Sequence, residues 1–111
     1  MKYMLLITST DGGAECSTSF EDWQVFDKAV QDAGIMVSAH SLADFTTATT
    51  VRVNDAGEPT ITDGPFAESR EVLGGYYVID VPDLDEALRW ATRCPGARGA
   101  GAVVVRPVAD F

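Results

Sequence analysis

The chain has 111 residues and 46% of them are hydrophobic, which suits one core and leaves no room for two ordinary domains. No apolar run approaches the roughly 18 residues of a membrane span, and Met4 to Ile7 is too short for the hydrophobic region of a signal peptide, so a cytoplasmic protein is expected. Eight basic residues against seventeen acidic ones leave a net charge of −9; that field repels a phosphate backbone, and with only Arg89, Arg93 and Arg98 as a loose basic cluster, direct nucleic-acid binding is not expected.

The two cysteines, Cys16 and Cys94, have no C-x-x-C spacing, and the single histidine is His40. Structural zinc sites use four nitrogen or sulfur ligands and catalytic ones three, so no metal site is expected. Nor is any cofactor, since no phosphate loop, nucleophilic serine motif or dinucleotide fingerprint is present. Cys94 falls on a helical apolar stripe and reads as core. Cys16 reads as a bystander thiol in a polar loop, and a disulfide is not expected in a cytosolic chain.

In chain order, Lys2 to Thr8 reads as a strand that is apolar on both faces and therefore central. Ser9 to Ser19 is a loop rich in Gly, Ser, Thr and Asp. A helix follows, with Ser19 and Asp22 as a capping box. Phe20, Trp23, Phe26, Ala29, Val30 and Ala33 form its apolar face, and Gly34 is suited to end it. Ile35 to Leu42 reads as the second strand and Thr49 to Asn54 as the third. Asn54-Asp55-Ala56-Gly57 is a turn, and Pro59 to Thr62 returns as a partner strand. After the Asp63-Gly64-Pro65 turn, Gly74 to Val81 is a strand of aromatic and β-branched residues. Asp83 caps a second helix with Glu86 three residues on. Leu84, Ala87, Leu88, Ala91 and Cys94 form its stripe, and Pro95 stops it. Ala102 to Val108 closes the chain as a strand.

With the hairpin set aside, the order is β-α-β-β-α-β, the split pattern of a ferredoxin-like α+β domain. Its two helices would cover one face of an antiparallel sheet. The other face, with apolar residues on several strands, would then be bare, and such a patch usually marks an interface. The expectation is a homodimer whose sheets face one another, with a small-molecule ligand in the cleft.

Thr62-Asp63-Gly64-Pro65-Phe66-Ala67-Glu68-Ser69-Arg70-Glu71 runs into Leu73-Gly74-Gly75-Tyr76-Tyr77. This stretch resembles the signature of the DGPF branch of the YCII-related family, DGPFAETKE followed by LGGYY. The likeness extends to the opening MKYMLLI, to TTVRV, to the DLDEAL helix and to the closing VRPV. The resemblance implies a ferredoxin-like domain paired into a dimeric α/β barrel, with no settled activity. It also implies a link to extracytoplasmic-function sigma factors, beside or fused to which such proteins often occur. Other YCII-related proteins are thought to use a histidine at the start of the first helix and an aspartate in an Asp-Pro step after the second, and one relative removes chloride from a chlorinated hydroxyquinone. Here the helix from Phe20 to Ala33 has no histidine, and the Asp-Pro step is Cys94-Pro95. That dyad does not carry over.

Six residues remain as site candidates. Asp63 is either a turn residue, which Asp-Gly-Pro chemistry explains, or a carboxylate at the mouth of a cleft. Glu68 and Arg70 are either a solvated charged run or ligand contacts, with the planar fork of Arg70 suited to an acid group. His40 is either an ordinary strand histidine or a general base paired with Asp63. Tyr76 and Tyr77 point to opposite faces of one strand. One packs under the helices; the other faces the cleft, where its hydroxyl can meet a ligand. Gly74 and Gly75 are read as strand geometry. Two classes of function stand: a small-molecule-binding or regulatory module, and a cofactor-free enzyme working by proton transfer at Asp63 and His40.

Overall fold

The computed structural model describes residues 1–9, 20–43, 47–64, 72–99 and 101–109. Cys16, the expected cap Ser19, and Glu68 and Arg70 of the signature segment lie outside the described residues. The element order is β1 (Lys2–Ser9), α1 (Phe20–Asp32), β2 (Met36–Ser41), β3 (Thr49–Val53), β4 (Pro59–Asp63), β5 (Val72–Asp80), α2 (Leu84–Arg93) and β6 (Gly101–Pro107), with a 3-10 turn at Pro95–Ala97 before β6. The fold is α+β. Four strands form one antiparallel sheet in the order β2-β5-β1-β6, and β3 pairs with β4 alone. No helix among the described residues is long and apolar enough to cross a membrane.

β1 is central, between β5 and β6, as its two apolar faces require. Tyr3 and Leu5 point to one face, where they meet Ile79 and Tyr77 of β5. Both helices cover that face. The Phe26 ring of α1 stands edge-on to Tyr77 at 5.3 Å and to Trp90 of α2 at 6.4 Å. Val30, Ala87, Ala91 and Cys94 complete this core.

Two expected helix faces need correction. On α1, Phe26 and Val30 are buried and Trp23 and Ala29 pack against them, but Phe20 is 77% exposed. Phe20 opens the helix, where no facing element covers it. On α2 the buried positions are Ala87, Trp90, Ala91 and Cys94, while Leu84 and Leu88 stay exposed. The sets {84, 88} and {90} are rival ways to complete a helical stripe through 87, 91 and 94. The larger apolar surface of an indole decides the rotation of the helix.

The helix ends follow local chemistry. The Asp83 carboxylate accepts from the Glu86 N–H at 2.9 Å, satisfying a first-turn donor. Gly34, at φ 71°, ends α1 in the left-handed region.

The β3–β4 hairpin is closed by Asn54, whose Oδ1 accepts from the N–H groups of Ala56 and Glu58 at 3.0 and 2.9 Å. Its apolar row, Val51, Val53 and Ile61, is exposed to solvent. The radius of gyration, 15.8 Å, exceeds the roughly 13 Å of a compact domain near this size. The hairpin is the described element that stands off the core.

Candidate functional site

The register of the four-stranded sheet defines the face opposite the helices. One row across it runs His40, Tyr76, Leu6 and Val104; the next runs Ser38, Val78, Met4 and Arg106. Leu73, Thr8 and Ala102 lie at the end where the hairpin connects, and Asp80 and Lys2 at the other. Met4, Leu6, Tyr76 and Val78 are half-buried by their neighbours, and Val104 is exposed. The centre of the face is therefore apolar. A polar edge at β2 carries His40, and a cationic corner at β6 carries Arg106.

Two backbone features hold this edge in place. β1 and β5 slip register between Ile7 and Thr8, which leaves Gly74 as an extra residue in β5. At Gly75 a Cβ would lie 2.9 Å from the His40 carbonyl oxygen, so the approach of β2 at this point requires glycine. His40 then packs beside Tyr76, with ring centroids 5.7 Å apart and planes inclined by 51°.

The chain matches the YCII-related domain family over residues 1–111. It belongs to that family. An uncharacterized protein of Rhizobium meliloti (strain 1021) is 36% identical to it over 106 residues, a span of 95% of this chain and 85% of the relative.

Of the candidate residues in this YCII-related domain, His40 and Tyr76 are neighbours on the open face. Asp63 is exposed at the end of β4, opposite Thr49. No hydrogen bond joins Asp63 to His40 among the described residues. Tyr77 is the tyrosine beneath the helices. It is buried, and its hydroxyl donates to Asp27 Oδ1 at 3.2 Å. Its hydroxyl therefore lies on the helix side of the sheet, away from the open face. The residues that sequence reasoning missed are Lys2 and Arg106. Arg106 lies within the VRPV segment, but only the β1–β6 register places it on the open face.

Burial raises the Tyr77 hydroxyl well above the ordinary tyrosine range, and the nearby Asp27 charge adds to this. Burial likewise pushes up the Cys94 thiol, which is inert rather than nucleophilic there. Among the described residues no group of three or more His, Cys, Asp or Glu could hold a metal ion.

The Tyr77 shift sets a pH dependence. An unfolded tyrosine loses its proton near pH ~10, whereas the folded one holds it to higher pH. The contribution is complete below pH ~10 and is lost as pH rises above it, because only the unfolded chain releases the proton. Tyr77→Phe should cost about 1.5 kcal/mol near neutrality, the order of a hydrogen bond to a charged acceptor. It should also make the alkaline decline in stability shallower. Urea unfolding at a series of pH values checks both; an unchanged alkaline slope would contradict the assignment.

Proposed function

We propose that this protein, of the DGPF branch, is a homodimer whose open sheet faces meet as a dimeric α/β barrel and enclose a cleft for a small molecule. The observation that carries the reading is the open face itself. Met4, Leu6, Tyr76, Val78 and Val104 make an apolar centre with no covering element among the described residues, bordered by His40 and Arg106. Such patches on a small domain mark interfaces, and an apolar cleft with a few polar groups is the usual form of a ligand site. The strand order β2-β5-β1-β6, with both helices on one side, supports the ferredoxin-like class. In this cleft Tyr76 would offer its hydroxyl and His40 its imidazole. The link to sigma factors rests on the resemblance alone.

The test is native mass spectrometry of gently purified protein beside Val78→Asp. The wild type is expected as a dimer with a reproducible small-molecule mass. Val78→Asp is expected as a folded monomer without it. The side chain is only half-buried in one copy, but a facing copy would bury the new carboxylate without a partner. A wild-type monomer at micromolar concentration would defeat the proposal.

A second reading, a cofactor-free enzyme with His40 as base and Asp63 as its partner, is favoured by the position of His40 on the same face as Tyr76. The fate of the bound molecule separates the two. Recovery unchanged after long incubation supports the module. A conversion that disappears in His40→Gln supports the enzyme.

A further inference from the structure

The hairpin carries two features that are without a partner among the described residues. The first is its apolar row: Val51 and Ile61, directly paired across the strands, are 59% and 69% exposed. An isolated two-stranded hairpin is marginal in water, so this row calls for an apolar surface from elsewhere. The second is its acidic tip. Asp55 and Glu58 are exposed, and neither carboxylate has a hydrogen-bond or ion-pair partner among the described residues.

The cations of the chain show where such a tip could go. Lys28, Arg89 and Arg98 lie within 4.0 Å of Asp32, Glu86 and Asp22, Arg93 stacks over Trp90, and Arg52 is also engaged. Among the described residues this leaves Lys2 and Arg106 with neither an ion pair nor a ring contact. Both sit at one end of the open sheet face, next to Met4 and Val78, and the Asp80 carboxylate opposite Lys2 is taken up by the N-terminal ammonium at 3.2 Å. In a chain of net charge −9, a cationic corner beside an apolar surface complements an acidic tip beside an apolar row.

The hairpin cannot use its own corner as it stands. It leaves the sheet after Ser41 and returns at Val72, the end where Ser9 and Gly101 pair. Lys2 lies at the other end of β1, whose length of eight residues is about 26 Å at ~3.3 Å per residue. A second copy placed with its Lys2–Arg106 end toward the hairpin tip can meet it instead. Interface size points the same way. A standard interface takes about 800 Å² and roughly 20–30 residues from each partner, more than the five apolar residues at the centre of the open face supply.

We infer that the β3–β4 hairpin is an arm that grips a second copy of this chain. It packs Val51, Val53 and Ile61 against the partner copy beside the facing sheets and sets Asp55 and Glu58 against the partner copy's cationic corner. The inference rests on the facing-sheet dimer proposed above and adds to it the element that locks its register.

The experiment is a charge-swap cycle read by sedimentation equilibrium, on wild type, Asp55→Lys/Glu58→Lys, Lys2→Glu/Arg106→Glu and the chain carrying all four changes. The arm variant adds four positive charges to a net charge of −9, so overall repulsion alone predicts a tighter dimer. The arm predicts the opposite: a dissociation constant raised at least tenfold, and restored to within about threefold of wild type in the four-change chain. An arm variant that dimerises as well as wild type overturns the inference, as does a four-change chain no better than the sum of its parts. If Val78→Asp still gives monomer while the arm variants have no effect, the facing-sheet dimer survives and the arm fails. A wild-type monomer defeats both. Retained secondary structure by circular dichroism confirms that each variant is folded.

Discussion

Trp90→Ala is expected to lower the unfolding free energy by about 3–5 kcal/mol, the range for removing a buried aromatic side chain. Leu88→Ala on the same helix is expected to cost less than about 1 kcal/mol. Trp90 is 9% exposed, meets Phe26 edge-on at 6.4 Å and carries the Arg93 guanidinium over its ring at 4.4 Å. Its removal opens a cavity between α1 and α2 that neighbouring side chains, fixed in rotamer wells, fill only partly. Leu88 is 44% exposed, so truncating it returns little apolar surface to water. Small domains have only about 5–15 kcal/mol of stability in total, so the tryptophan variant should unfold at markedly lower urea concentration and the leucine variant close to wild type. Equal losses at the two sites would mean that α2 is rotated away from the arrangement described here.

Gly101→Ala is expected to cost about 3 kcal/mol, the upper end of the overpacking range. A Cβ at this position would run into the carbonyl oxygen of Gly96, with the Arg98 carbonyl oxygen 3.3 Å away. Both are backbone atoms of the bend that leads from α2 into β6, so no rotamer change relieves the overlap. The bend is also tied: the Gly101 N–H donates to the Arg98 carbonyl at 3.1 Å, and Gly101 pairs with Ser9 of β1. The added methyl must therefore displace either the 3-10 turn or the start of β6. Gly96→Ala is a useful contrast, because there the obstruction comes from side chains, the Ile7 Cγ2 methyl and the Trp23 ring, rather than from backbone. Thermal or urea unfolding of the two variants should rank Gly101→Ala as the more damaging. The reverse order would show that the bend adapts more easily than the Ile7–Trp23 packing.

Much of the architecture was legible from local chemistry. Asp83 caps α2, Gly34 ends α1 and Asn54 closes the hairpin, each because a side chain or a left-handed glycine answers backbone groups within a few residues. The central place of β1 followed from its two apolar faces. The split of Tyr76 and Tyr77 followed from the two-residue strand period, but which of them faces the helices did not. That depended on how β5 pairs with β1 across the bulge at Gly74. The rotation of α2 was likewise ambiguous, since Leu84 and Leu88 fit a helical stripe through Ala87, Ala91 and Cys94 as well as Trp90 does.

The candidate site was less legible, because its residues come from four strands far apart in sequence. His40 stood out as the single histidine and Tyr76 as part of a motif, yet their contact exists only because β2 lies beside β5. Arg106 and Lys2 gave no local signal. Each becomes notable only when the other cations are seen to be engaged and the two are found together on one face. By itself the sequence determined the elements, the cap at Asp83, the stop at Gly34, the turn at Asn54, the α+β class and the kinship with YCII-related domains. These rest on periodicity, capping and motif, all encoded within short stretches of chain. Only the tertiary structure decided which tyrosine is buried, which face of α2 is core and which residues share the open sheet face. Each of these is set by register and packing between segments that the chain order alone leaves free to slide or rotate.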